Sequence, residues 1–199
     1  MKTNDRQLVP PEDLDKIYKP KPPLTVAARV YAGPGIGLAE IQTVIEPPPQ
    51  TGRGKILAVG VPRVEIEQVV SSILHIPGLS GRPDYSITCR LIGADKYIPS
   101  FGLAACVSVI ASYFKRPIPP TSIFLGEIDL QKRIRGGTGR LIENLRRSID
   151  AEEVGTDLTL FAPSTLATDH LSDAPIKVAS CRSLMDVITA MWPTGNSRS

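Results

Sequence analysis

The sequence predicts an α+β or mixed α/β fold in which helices pack on a mixed β-sheet. Short runs rich in β-branched residues alternate with segments whose apolar residues recur at helical spacing. Clusters of glycine and proline separate these segments, as expected for turns. Of the 199 residues, 42% are apolar and 22% are charged, which suits one globular domain with a hydrophobic core.

The first half of the chain predicts four strands and one helix. Residues 24–32 and 37–46 alternate partly with period two, and the glycine-rich segment "GPGIG" joins them as a turn. A further short strand is predicted at 55–60, after a proline-rich loop. Residues 62–76 change to helical spacing, and a strand pattern returns at 84–93.

The second half of the chain predicts three helices and four strands. Residues 100–114 are apolar nearly all round, which indicates a buried helix, and the prolines after them end it. Residues 139–153 form an amphipathic helix with its arginines outward. The closing helix at 182–192 has Ser180 or Ser183 as its cap. Strands are predicted at 122–130, 132–137, 157–163 and 176–180.

The ends of the chain and its cysteines bear on domain organisation and compartment. Residues 1–23 are polar and proline-rich and predict a flexible arm, residues 24–193 form the folded domain, and 194–199 form a disordered tail. The N-terminus has no signal-peptide core, and no apolar run is long enough to span a membrane. We expect a cytoplasmic protein, because the three cysteines form neither a CxxC pair nor a disulfide framework: Cys89, Cys106 and Cys181.

Two glycine-rich segments resemble nucleotide-binding loops but have the wrong spacing. "GPGIGLAE" does not fit GxGxxG, and a strand pattern follows it instead of a helix. "RGGTGRLIENL" leads into a helix but is not GxxxxGK[ST], so a tight turn capped by Thr138 is favoured. We therefore expect no cofactor. The net charge of +3, with scattered basic residues, does not indicate a nucleic-acid partner.

The two histidines, His75 and His170, do not indicate a catalytic or metal site. His170 has Asp169 and Asp173 nearby, but without the spacing of metal ligands, so no metal is expected. Nothing in the sequence places either histidine beside a nucleophile. Surface loop residues are the favoured interpretation.

The segment "KYIPSFGLA" contains the residue on which an enzymatic interpretation depends. Ser100 stands directly before the buried helix, where serine is a common N-cap. The same position would direct a nucleophilic hydroxyl toward the positive end of the helix dipole. A serine nucleophile needs a base, and without histidine the usual base is a neutral lysine.

Three blocks of the chain resemble the proteolytic domain of Lon proteases, over residues 27 to 192. "DKYIPSFGLA" is similar to the family's "PKDGPSAGIA", and "LGEIDL" is similar to its "TGEITL" strand. "TGRGKILAVGVPRVEIEQVVSSI" resembles an earlier family block. The matched positions of the first two blocks are Lys96, Pro99, Ser100, Gly102, Ala104, Gly126, Glu127, Ile128 and Leu130.

The resemblance implies a Lon-type α+β fold in which Ser100 holds the position of the nucleophile of a Ser-Lys dyad. The family lysine falls on Glu143 when the chains are aligned from Glu127, or on Leu141 beside Arg140 when the Gly-Gly pairs are matched. Residues 133–176 contain no lysine. Arginine cannot replace it, because a guanidinium with a pKa above about 12 stays protonated.

Other positions of the family site also differ in this chain. The family threonine before "GE", which holds the lysine, is Leu125. The glycine and alanine that flank the family's Pro-Ser pair are Ile98 and Phe101, and these bulkier side chains are expected to crowd a substrate strand. Lys96 and Lys132 are the nearest lysines along the chain, and either would need a rearrangement to reach Ser100.

The resemblance leaves three hypotheses. The first is a non-catalytic assembly or binding module for protein or peptide. By family analogy it would be a homo-oligomer, a hexameric ring. Because this chain has no Walker A motif, a separate ATPase would be a further partner. The second is an active, ATP-independent serine peptidase that uses Ser100 with a relocated base. The third is a DNA-associated accessory module like the Lon-like domain of RadA-type ATPases, whose "VRPV" resembles "IRGG" here.

Overall fold

A computed structural model describes residues 25–46, 55–73, 86–94, 98, 100–129, 131–136, 139–166 and 171–193. The described residues form an α+β fold, which confirms the predicted class. Their helices are α1 (Arg63–Ile73), α2 (Gly102–Phe114), α3 (Gly139–Asp150) and α4 (Leu184–Met191). Their strands are β1 (Val26–Gly33), β2 (Gly37–Glu46), β3 (Ile56–Val59), β4 (Ser86–Ile92), β5 (Ser122–Phe124), β6 (Glu127–Ile128), β7 (Ile134–Arg135), β8 (Leu158–Pro163) and β9 (Ile176–Cys181).

Seven strands form one mixed sheet in the order β3-β4-β2-β1-β5-β8-β9. β2 runs antiparallel to both β1 and β4, whereas the remaining neighbours in the sheet are parallel. The predicted turn between β1 and β2 is confirmed. Gly37 has φ +72° there, and a β-carbon on it would lie 2.6 Å from the Glu153 carbonyl oxygen. This close approach to the segment after α3 requires glycine.

The sheet separates two hydrophobic cores. Because side chains alternate along a strand, Val30 of β1 packs with one core and the adjacent Tyr31 packs with the other. The first core contains buried side chains of α1, α2 and α4. The second core is built on α3, with buried side chains from β5 and β8 opposite it. The α2 helix, predicted to be buried, has every residue from Gly102 to Ser112 buried, and most of them belong to the first core.

The predicted strand at 122–130 is divided into two, which corrects the sequence interpretation. β5 lies in the main sheet, and β6 pairs with β7 in a separate two-stranded hairpin. The division falls at Gly126, whose φ is +133°. A β-carbon there would lie 2.9 Å from Ile134 Cγ2 and 3.0 Å from the Arg135 carbonyl oxygen. The chain therefore turns out of the sheet where a side chain has no room.

The closing helix begins as predicted. The Ser183 hydroxyl accepts the Asp186 backbone N–H, and the Asp186 carboxylate accepts the Ser183 N–H, which completes a capping box. The predicted arm and tail, residues 1–23 and 194–199, lie outside the described residues. Among the described helices, none has the length and apolar character needed to cross a membrane.

Candidate functional site

Backbone hydrogen bonds join the β6–β7 hairpin to the loop that carries Ser100. The Gly126 N–H donates to the Ser100 carbonyl at 3.1 Å, and the Leu103 N–H donates to the Gly126 carbonyl at 2.8 Å. These two bonds fix the residue before β6 against the first turn of α2. Glu127, the next residue, is thereby placed beside the N-terminus of that helix.

Ser100 does not cap α2, so the capping prediction is wrong. The N-cap is Phe101, with φ −83° and ψ −12°, and its side chain makes no capping hydrogen bond. Ser100 instead has φ +69°, in the left-handed region that non-glycine residues seldom occupy. Such strained backbone clusters at functional sites, and here it turns the serine out of the helix start.

The Glu127 carboxylate takes the place at the α2 N-terminus that was predicted for Ser100. Burial raises the pKa of Glu127, hydrogen bonds from the backbone N–H groups of Gly102 and Ser100 oppose this, and the Glu65 charge adds to the rise. A β-carbon on Gly102 would overlap Glu127 Oε2. Gly102 is therefore the residue that admits the carboxylate to the helix end.

Ser100 lies at a cavity of about 700 Å³ between the start of α1, the start of α2 and β6. The lining is part apolar and part acidic, with Pro62, Val64, Glu65, Gln68, Val69, Ser100, Phe101, Gly102, Glu127 and Ile128. Gly136, after β7, lies near the serine, because a β-carbon there would be 3.8 Å from Ser100 Oγ. The volume is in the range typical of ligand sites.

Ser100 lines this cavity and has little exposed surface. Ser100 is only 8% exposed, and its side chain makes no hydrogen bond to another described residue. Every fully buried side-chain oxygen and nitrogen in the described part of the chain has a partner. The hydroxyl oxygen is therefore not fully buried, and Ser100 is one of the residues that line the cavity.

The predicted dyad positions lie away from the cavity lining. Arg140 and Glu143 are exposed on α3, and Leu141 packs against the second core. Leu125, at the position of the family threonine, is fully buried in the same core as Leu141. Leu125 and Leu141, two apolar residues of the second core, thus occupy the positions at which the resemblance predicts a threonine and the lysine that it holds.

The structure places the other residues predicted near Ser100 in three different ways. Phe101 and Ile98 are buried in the first core, which anchors the serine loop from beneath. Lys96 and Pro99 lie outside the described residues. Lys132 has φ +62° in the hairpin turn and does not line the cavity, so it is not the relocated base in this conformation.

The histidines and Thr138 contribute nothing that can be placed at the site. His75, His170, Asp169 and Thr138 fall outside the described residues. Asp173 accepts a hydrogen bond from Arg146, in an exposed ion pair. Across the described ranges, no group of three or more histidine, cysteine or acidic side chains is arranged to hold a metal ion.

Sequence reasoning missed the contribution of α1 to the site. Val64, Glu65 and Val69 reach the cavity because α1 packs beside α2, which is a tertiary contact. The amphipathic pattern placed an apolar face on this helix but could not identify its neighbour. No local signal in the sequence marks Val64 or Glu65 as lining a cavity, because their position depends on how the two helices pack.

The cavity at Ser100 combines polar and apolar lining residues. The cavity offers a hydroxyl, carboxylates and an apolar wall. A scan against models of known protein families matches none of them, and a search of characterised proteins finds no significant match.

Proposed function

We propose that this chain is a divergent Lon-like domain that binds protein or peptide without cleaving it. The three sequence blocks supply the family resemblance, and the α+β fold is compatible with it. By the same analogy we propose a homo-oligomer, a hexameric ring, that works in the cytoplasm with a separate ATPase. The domain proper spans residues 24–193.

The observation that carries the proposal is the lack of a suitable base beside Ser100 among the described residues. No described lysine, histidine or arginine lines the cavity. A serine hydroxyl is a weak nucleophile unless an adjacent group accepts its proton. The cavity carboxylate at Glu127 receives backbone N–H groups at the start of α2 and makes no hydrogen bond to the Ser100 hydroxyl.

The lining of the cavity supports the proposal that the chain binds peptide. The cavity is open to solvent, and Pro62, Val64, Val69 and Ile128 give it an apolar wall beside the polar groups. Concave sites that combine apolar lining with a few polar groups are the usual form of binding sites. A volume of this size suits a ligand larger than one side chain, such as a short peptide segment.

Active-site labelling tests the loss of catalysis. We expect a fluorophosphonate or boronate probe to leave the full chain unlabelled under conditions that label a catalytic Lon domain, which serves as the positive control. Labelling that disappears in Ser100→Ala would overturn the non-catalytic proposal.

One observation favours the active peptidase as the second candidate. Glu127 lines the same cavity as Ser100, and burial raises its pKa, which makes its carboxylate a better proton acceptor. If Glu127 were the relocated base, labelling of Ser100 would also be lost in Glu127→Gln. Labelling that survives in Glu127→Gln would exclude Glu127 as the base.

Assembly is tested on the same material. Light scattering on the full chain should give a mass well above the 21.5 kDa of one chain. A stable ring should keep this mass as the protein concentration is varied. A monomer mass at high concentration would overturn the ring.

A further inference from the structure

Two polar groups at the Ser100 cavity can accept hydrogen bonds, and apolar side chains line the same cavity. They are the hydroxyl of Ser100 and the carboxylate of Glu127, which carries negative charge when ionised. No cationic side chain of the described residues lines the cavity with them. An ionised Glu127 carboxylate would therefore attract a positive group in this space.

The serine hydroxyl is a second and independent sign of a ligand. Ser100 is only 8% exposed and lines the cavity, and its side chain makes no hydrogen bond to another described residue. Buried polar groups are nearly always hydrogen-bonded. A donor that enters the cavity would satisfy the hydroxyl oxygen.

The composition of the lining indicates the chemical character of that donor. The apolar side chains of Val64, Val69 and Ile128 lie on the same cavity as the acceptors at Ser100 and Glu127. A ligand that suits it has an apolar stem and a cationic tip. Lysine and arginine side chains have this form, since their methylene stems pack on apolar surface while their charged ends find acceptors.

We propose that the cavity at Ser100 binds the lysine or arginine side chain of a partner peptide, with its charged end at Glu127 and Ser100. This inference rests on the proposed binding function and names the side chain that the site selects. The carboxylate of Glu127 is the specificity-determining group, and the Ser100 hydroxyl is a second acceptor. The stem lies against Val64, Val69 and Ile128.

The test compares capped pentapeptides that differ at one position, acetyl-Ala-Ala-X-Ala-Ala-amide with X as lysine, arginine, norleucine or glutamate. Titration of the isotope-labelled full chain is followed by amide NMR. We expect the lysine and arginine peptides to shift signals from 62–69, 100–102 and 127–128. They should bind about tenfold more tightly than norleucine, which has the stem without the charge.

A variant assigns the preference to Glu127. Glu127→Gln keeps an oxygen that can accept the α2 amides, and it should bring the lysine-to-norleucine affinity ratio close to one. Glu143→Gln, an exposed glutamate on α3 that does not line the cavity, is the matched control and should keep the ratio. A preference that survives in a folded Glu127→Gln chain would overturn the assignment.

The outcomes separate this inference from the proposed function. Equal binding of the norleucine and lysine peptides by the wild-type chain overturns the cationic preference and leaves peptide binding in place. Absence of any shift with all four peptides overturns peptide binding at this site together with the preference. Labelling of Ser100 by the probe overturns only the non-catalytic part. If Glu127→Gln fails to fold, the comparison of the lysine and norleucine peptides on the wild-type chain still tests the cationic preference.

Discussion

Gly102 leaves the space that the Glu127 carboxylate occupies, and Glu127 Cδ lies 3.1 Å from the point where a β-carbon on Gly102 would stand. The carboxylate thereby receives N–H groups at the start of α2, where a helix has unsatisfied donors and a positive dipole end. The N-cap, Phe101, has no side-chain acceptor. Glu127, which is distant in sequence, caps the helix instead.

Replacement of Gly102 should therefore destabilise the fold. We expect Gly102→Ala to lower the free energy of unfolding by about 1–3 kcal/mol, because the methyl group displaces the buried carboxylate from its donors. Gly139, at the start of α3, is the matched control, since a β-carbon there meets no atom within 4 Å. Gly139→Ala should be neutral or stabilising by up to about 1 kcal/mol. Denaturant unfolding of both variants checks this, and equal effects would contradict it.

Asp129 should stabilise the β6–β7 hairpin in a pH-dependent way. Desolvation raises its pKa, but the Arg133 N–H and the Arg135 and Arg133 guanidinium groups outweigh this and lower the pKa to about 2. Because the folded pKa lies below the unfolded value of about 3.9, the stabilisation is complete above that value. It is lost as the pH falls toward 2.

Carbon-detected NMR titration of the Asp129 carboxyl checks this prediction. The Asp129→Asn chain should show less loss of stability between about pH 4 and pH 2 than the wild type. Titration of Asp129 at its ordinary pKa would show that the two arginines do not hold it in solution.

The three cysteines should be unreactive in the folded chain. Burial raises the pKa of Cys89 and of Cys181 to about 11, and it raises the pKa of Cys106 further. At pH 8 a thiol of pKa 11 is ionised in roughly one molecule in a thousand. Ellman's reagent should therefore react slowly with the native chain and with three thiols after denaturation in guanidinium. Rapid reaction of one native thiol would indicate that its segment opens.

Tyr31 and Ser148 should be coupled energetically across the second core. The Tyr31 hydroxyl lies 2.9 Å from Ser148 Oγ, and Ser148 in turn donates to Glu153 Oε2 at 2.7 Å. Tyr31→Phe should cost about 1 kcal/mol of stability. The cost should shrink in a Ser148→Ala background, as measured by a double-mutant cycle. An unchanged cost would mean that the hydrogen bond contributes nothing.

Local signals in the sequence were sufficient for most elements of the fold. The alternation at 37–46, the continuous apolar run at 100–114 and the amphipathic pattern at 139–153 each correspond to an observed strand or helix. The interruption at Gly126 could not be predicted in this way, because it depends on how closely Ile134 and Arg135 approach. Such contacts appear only once the hairpin is packed.

The candidate site was predictable in part. Ser100 and Glu127 were identified from the sequence, and the structure brings both to one cavity. Their roles at the helix were exchanged, because a local preference for serine at N-caps cannot anticipate a carboxylate that arrives from β6. The contribution of α1 required knowledge of helix packing, which periodicity does not contain.

The division of the molecule into two cores has a consequence for its evolution. Ser100 belongs to a loop anchored in the first core through Phe101, whereas Leu125 and Leu141 belong to the second. The two cores lie on opposite faces of the sheet, so substitutions in one need little compensation in the other. A lineage can therefore accumulate substitutions around α3 while the residues at the Ser100 cavity stay in place.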